Sequence, residues 1–342
     1  MKISLKAVLV LGPRYKPGRE IGGAVVLFEN LIQEFEENKI NFYIIDTNKK
    51  AHRFRLISFA SILYQSIKFF KKTDVLLLNS SGDYFYILPS LLFINYFYKK
   101  KIFLRKFGGE LDRSLQNKIK GPLIRYLFPK LDGLFVESKK LAKIFSGINK
   151  NVVWFPNVRK KYHSSIVSRH QKYSGKFVFI SQLKFTKGAG VLIEAFSKLD
   201  KKYTIDFYGP VIDDVLEQKI KNKANINYNG TLLPGEVFNT LSNYDVVILP
   251  TFYEGEGYPG IIIEAYSCCK PVITTNWNQI PEIVEDGKTG YLIAPQSSFA
   301  IVEAVEKFNA ENYDYFSRNA CNKFKEFDSE IVTKNIIKVL EQ

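Results

Sequence analysis

Two acids stand eight positions apart in the stretch Thr251-Phe-Tyr-Glu-Gly-Glu-Gly-Tyr-Pro-Gly-Ile-Ile-Ile-Glu-Ala265. They are Glu256 and Glu264. A carboxylate offers two acceptor oxygens, which suits the vicinal hydroxyls of a sugar or a ribose. Gly255, Gly257 and Gly260 permit close backbone approach. Gly257, Tyr258, Pro259 and Gly260 lead into an apolar run that reads as a helix, and unpaired N–H groups at a helix start favour an anion. The competing account has Glu256 capping that helix and Glu264 on a solvated face. Against it, Glu264 interrupts Ile261–Ala265, where an acid without a partner is costly.

Other loops carry complementary chemistry. Phe177-Val-Phe-Ile-Ser-Gln182 is a strand, and Lys187-Gly188 stands where the next helix begins. A lysine there can meet a diphosphate, though a lone lysine is ordinarily a surface residue. After the first strand comes Gly12-Pro-Arg14-Tyr-Lys16-Pro-Gly-Arg19 and then Gly22-Gly23. This is not the dinucleotide pattern G-x-G-x-x-G; it reads as a basic loop with a glycine pair that either closes over a ligand or simply turns. Lys101-Ile-Phe-Leu-Arg-Lys-Phe107 ends in Gly108-Gly109-Glu110, with Asp112 beyond. Glu110 or Asp112 is either an acceptor-binding acid or general base, or a solvated turn acid.

The elements that must position these loops are legible as alternation. Apolar strand runs are expected near 3–11, 41–46, 74–79, 101–106, 133–137 and 152–155, and again near 176–181, 203–208, 226–229, 245–250, 271–275 and 290–293. Many are continuously apolar, as in strands buried on both faces. Helix-like segments separate them, so the fold class is α/β with two doubly wound, Rossmann-like parallel sheets facing a cleft. The expected division is 1–160, 161–328 and a last helix at 329–342 that packs back on the first domain. The joint falls in the polar, basic run near 157–175.

Composition narrows the partners. The 342 residues carry a formal charge of +15. Residues 1–150 hold 27 of the 49 Lys+Arg but 12 of the 34 Asp+Glu, so the net charge lies in the first half. That points to an anionic partner for this half. Lys49 to Lys72 has seven cations, no acid and interleaved aromatics, which suits an anionic membrane surface; a core helix with a basic edge is the plainer account. The apolar window Tyr84–Tyr98 contains Pro89 and Asn95, is too short to span a bilayer, and reads as a core helix. Three cysteines make no disulfide framework and fit a reducing cytoplasm. His52, His163 and His170 are scattered and offer no metal constellation. No nucleic-acid module is evident.

Taken together, the motifs resemble the family 4 glycosyltransferases of bacterial surface-polysaccharide synthesis. The resemblance rests on Gly22-Gly23, Gly133-Leu-Phe-Val-Glu-Ser138, Val153-Trp-Phe-Pro-Asn157, Gln182-Leu183 with Lys187-Gly188, the block Glu256 to Glu264, Ile280-Pro-Glu282 and Gly287-Lys-Thr-Gly290. It implies a GT-B fold and transfer of a sugar from a nucleotide-sugar, with retention and without a metal. Glu264 would then hold the ribose, Glu256 the donor sugar, and Lys187 with the Gly257–Gly260 backbone the departing diphosphate. Gln182, Gly22 and Gly23 complete the implied donor set; Arg14, Gly109 and Glu110 are the acceptor set. No cofactor is implied. The acceptor would be a glycan or a polyprenyl-diphosphate lipid, met by a cytoplasmic enzyme at the inner membrane face. Gln182 stands where many members carry Arg, Phe107 where many carry His, and Cys269 where Gly is frequent. The alternatives are a degenerate GT-B binding protein and a nonhydrolysing nucleotide-sugar epimerase.

Overall fold

The computed structural model describes residues 6–15, 23–48, 55–82, 84–108, 111–162, 172–221 and 223–342. The chain forms two compact units, Met1–Asn157 with Ser329–Gln342, and Val158–Asp328.

The first unit holds β1 (Val8–Gly12), β2 (Phe42–Asp46), β3 (Val75–Ser80), β4 (Lys101–Lys106), β5 (Gly133–Val136) and β6 (Val152–Trp154). All pair in parallel, in the order β2-β1-β3-β4-β5-β6. β1 and β3 are buried at every position, because parallel strands covered by helices on both faces have no solvent side. On one face Leu9, Leu11, Leu76, Leu78, Ile102, Leu104, Leu134 and Val136 pack against helical Tyr84, Leu88 and Phe128. The last helix, Ser329–Glu341, packs on the Gly23–Glu37 helix of this unit, where the Ser329 hydroxyl donates to buried Glu34 at 2.5 Å.

The second unit holds β7 (Lys176–Ile180), β8 (Thr204–Tyr208), β9 (Ile226–Tyr228), β10 (Val246–Leu249), β11 (Val272–Thr275) and β12 (Gly290–Ile293). Its parallel order is β12-β11-β10-β7-β8-β9. The direction of winding reverses between β7 and β10, and ligands of such sheets gather outside the carboxyl ends of the strands at that reversal. The loops holding Lys187 and Glu256 follow these two strands.

Two expectations need correction. The Tyr84–Tyr98 helix is not a core helix throughout. It buries Tyr84, Ile87, Leu88 and Leu91 but exposes Tyr86 (73%), Phe93 (71%), Tyr96 (77%) and Phe97 (68%). Its sequence is apolar on all sides, so the pattern could not show which side faces the sheet. The cysteines also differ from expectation: Cys269 and Cys321, 52 residues apart, are joined as a disulfide, and Cys268 is free and buried. Their spacing in the chain cannot reveal this. The packing of the Gly260–Ser267 helix on the Tyr313–Lys323 helix brings the two cysteines together.

Candidate functional site

The site in the second unit is built from two loops. Ser181–Gly188 leaves β7 through one 3-10 turn, Phe185–Lys187, and ends at Gly188, which caps the Ala189–Phe196 helix at φ 82°. A Cβ on Gly188 would lie 2.2 Å from the Pro250 carbonyl oxygen, so only glycine allows the two loops this close. Contact continues through Phe252 N–H, which donates to the Thr186 carbonyl at 2.8 Å.

The second loop, after β10, is held from below. Trp277 Nε1 donates to the Tyr253 carbonyl at 2.9 Å, and Asn278 Nδ2 donates to the Glu254 and Glu256 carbonyls at 3.0 and 3.2 Å. These bonds fix the backbone that carries Glu256.

Lys187 and Glu256 meet. Lys187 Nζ donates to Glu256 Oε2 at 2.6 Å, and the Thr251 hydroxyl donates to the same oxygen at 2.8 Å. Both ionic side chains are largely buried. Lys184 and Lys187 place their ammonium groups 5.5 and 4.9 Å from the ring centroid of Tyr253, so two cations share one aromatic ring. Lys184 supplies positive charge in the loop where Gln182 does not; Gln182 is exposed at its start.

Glu264 is the fifth residue of the Gly260–Ser267 helix, between buried Ile261, Ile262, Ile263, Ala265 and Tyr266. Its Oε1 accepts from Arg159 Nε at 2.6 Å, and both side chains are largely buried. Arg159 is not among the sequence candidates. It lies in the polar run near the joint, 105 residues away, and no local pattern singles it out.

Residues 174–310 match the family model described as "Glycosyl transferases group 1". The matched residues contain Lys187, Glu256 and Glu264, while Arg159 precedes them. Among curated relatives, the chain is 29% identical over 163 residues to an uncharacterized 41.2 kDa protein in the cps region of Klebsiella pneumoniae, covering 46% of this chain and 44% of that protein. It is 24% identical to an uncharacterized glycosyltransferase of Methanocaldococcus jannaschii, over 94% of this chain and 95% of the relative. A putative colanic acid biosynthesis glycosyltransferase, WcaL of Salmonella typhimurium, is 28% identical over 41% of this chain and 37% of its own length. The match thus spans less than half of the Klebsiella and Salmonella proteins. The fold is that of GT-B structures. HepE of Anabaena, solved with UDP and glucose, superposes with a TM-score of 0.73 at 15% identity over 99% of this chain and 100% of its own. The lipopolysaccharide outer core galactosyltransferase WaaB superposes at 0.71 and 14% identity over 98% and 99%.

In the second unit, Gly257 is half-buried beside Glu256, Pro259 is the residue before the helix, and Gly260 opens it. The Tyr258 side chain turns inward, donating its hydroxyl to Glu282 Oε2 at 2.6 Å with its ring against Phe327. Any contact it makes with a ligand is therefore through its backbone. In the first unit, Gly23 is the first residue of the Gly23–Glu37 helix, and a Cβ there would meet nothing within 4 Å. Arg14 is half-exposed and its Nε donates to Glu29 Oε1 at 2.9 Å. Gly22, Gly109 and Glu110 lie outside the described residues.

The first unit holds a buried ionic cluster at the carboxyl ends of β4 and β5. Arg105 is 2% exposed, with its guanidinium 3.5 Å from the ring centroid of Phe155 and 4.9 Å from that of Phe107. Burial lowers its pKa to about 9, against the pull of Glu137. Phe107, at the position where many family 4 members carry His, is thus buried and takes this cation. Glu137 Oε2 accepts from Gly108 N–H at 2.7 Å, and Lys106 Nζ donates to the Phe107 carbonyl, so both charges fasten the loop that leaves β4.

Proposed function

We propose that this protein is a retaining, metal-independent hexosyltransferase of the family 4 type. It moves a sugar from a nucleotide-sugar, with UDP- or GDP-sugars favoured, to a glycan or polyprenyl-diphosphate-linked acceptor in capsule, O-antigen or exopolysaccharide synthesis. The observation that carries this reading is the pair of largely buried carboxylates, Glu256 and Glu264, each facing a cation beside the sheet reversal. Hydroxyl-rich ligands need such acceptors, and a diphosphate needs such cations. The names of the relatives in cps and colanic acid contexts, and the UDP and glucose in HepE, support the choice of chemistry.

In this reading Glu264 accepts from the ribose hydroxyls and Glu256 from the donor sugar. As the bond to the anomeric carbon breaks, charge grows on the leaving diphosphate. Lys187, with Lys184 beside it and the N–H groups at Gly257–Gly260, stabilises that charge without moving far. Thr251 and the Asn278 bonds keep Glu256 in place while this happens.

The acceptor is assigned to the basic first unit and the location to the inner face of the cell membrane. The exposed aromatics of the Tyr84–Tyr98 helix support this. That helix packs on Arg55–Phe70 and Lys120–Leu127, and none of the three contains an acid. Exposed Leu56, Tyr64, Ile67, Ile119 and Tyr126 extend the apolar surface. Aromatic rings with lysines suit the headgroup region of an anionic bilayer. Among the described residues no helix is long and apolar enough to cross a membrane.

The testing experiment is a thermal-shift panel of UDP, GDP, ADP, CMP and their sugars, with and without EDTA, on the wild type and Glu264→Ala. Ligand at 100 times its Kd adds about 2.7 kcal/mol to stability. A selective, EDTA-insensitive shift lost in the variant supports the transferase and names the donor. Silence across the panel refutes it in favour of a binding protein.

A further inference from the structure

We infer that Arg159 is a donor-positioning residue: it holds the Glu264 carboxylate turned so that Oε2 faces the nucleoside. This rests on the assignment of Glu264 to the ribose.

The guanidinium is placed by the backbone. Arg159 N–H donates to the Phe327 carbonyl at 3.0 Å, and Arg159 forms an isolated parallel bridge with Asp328. Phe327 is fully buried, and its ring meets that of Tyr258 in the Glu256 loop at 6.1 Å. Arg159 Nη1 also donates to the Val158 carbonyl at 3.0 Å. A side chain held at its backbone, at Nη1 and at Nε has little freedom left, so the direction of the 2.6 Å bond to Glu264 is set before any ligand arrives.

Glu264 needs such a partner. It stands in a helix whose neighbouring side chains are buried and apolar, where an acid without a partner is costly. Arg159 engages Oε1. Oε2 has no partner among the described residues, which leaves one oxygen of a fixed carboxylate for a ligand hydroxyl. A freely rotating glutamate would spend the same oxygens on water and would have to be ordered on binding.

The role predicts discrimination at the sugar hydroxyl, a property that general stability does not change. The probes are UDP, GDP and ADP, each with its 2′-deoxy counterpart, titrated calorimetrically into the wild type, Arg159→Ala, Arg159→Lys and Glu264→Gln. The wild type is expected to bind its preferred ribonucleotide at least tenfold more tightly than the deoxy form. Glu264→Gln should abolish most of that preference. Arg159→Ala should lower ribonucleotide affinity about tenfold while leaving deoxynucleotide affinity nearly unchanged, and Arg159→Lys should recover part of the loss. A preserved ribo-to-deoxy ratio in Arg159→Ala, with Glu264→Gln impaired, overturns the positioning role and leaves the ribose assignment standing. Tighter ribonucleotide binding in Arg159→Ala also overturns it, since Arg159 would then be competing with the ligand. An unchanged ratio in Glu264→Gln overturns the ribose assignment itself, and this inference with it.

Discussion

Glu256→Gln should tighten the binding of a bare nucleoside diphosphate while it impairs sugar transfer. In the ligand-free protein the Lys187 ammonium is already satisfied by Glu256 at 2.6 Å. At that distance and an effective dielectric constant of about 20, the gross attraction is about 6 kcal/mol. Most of this is offset by desolvation of the two groups, and a net coupling of about 1–2 kcal/mol is the reasonable residue for a largely buried pair. A diphosphate arriving at Lys187 must compete with that coupling and also approach the Glu256 charge. The glutamine keeps the shape, can still accept from Thr251, and removes the charge. The expected gain in affinity is therefore about 5- to 30-fold. The assay is calorimetric titration of the nucleoside diphosphate that stabilises the wild type, with Lys187→Met as the control that should lose affinity. Transfer to acceptor is measured in parallel and should fall, because the sugar loses an acceptor. Equal or weaker diphosphate binding in Glu256→Gln, at an unchanged melting temperature, would refute the reasoning. Glu256 would then be orienting Lys187 and not occupying it.

Packing and charge make three further predictions. Gly188→Ala combines a left-handed backbone with a Cβ only 2.2 Å from the Pro250 oxygen, and should cost roughly 3 kcal/mol or more by chemical denaturation, with nucleotide binding lost as Lys187 moves. Lys270 is buried, and burial lowers its pKa from 10.5 to about 8. The unfolded chain therefore binds more protons between those values, so stability rises as pH climbs from about 8 to about 10.5; Lys270→Met should stabilise by up to about 3 kcal/mol at pH 7 and by less at pH 10, read from melting curves. Tyr258→Phe removes the 2.6 Å bond to Glu282 and should cost about 1–3 kcal/mol in stability while changing nucleotide affinity less than Glu264→Gln does.

The strands were readable because nearly every one is an apolar run closed by turn residues, and all twelve appear within a few residues of their expected places. Glu264 was readable as an acid that breaks an apolar run, and Glu256 and Lys187 as charged residues in strand-to-helix loops. What could not be read are features made by distant packing. Arg159 meets Glu264 across 105 residues, and Thr251 looks like any residue leaving a strand until its hydroxyl is seen on Glu256. Cys269 and Cys321 are separated by 52 residues and two intervening strands. The Tyr84–Tyr98 helix failed for a different reason: a segment apolar on every side carries no directional signal.

The Arg159–Asp328 bridge has an evolutionary consequence. The backbone enters Val158–Asp328 and leaves it at two neighbouring positions. In chain order that whole segment lies within a host unit whose own chain resumes with Ser329–Glu341 on the Gly23–Glu37 helix. Inserts with adjoining ends can be exchanged, duplicated or lost without rethreading the host. A lineage can therefore trade this segment for another by recombination, provided both cuts fall at this seam. A cut at the first seam alone would strip the host of its closing helix and expose Glu34.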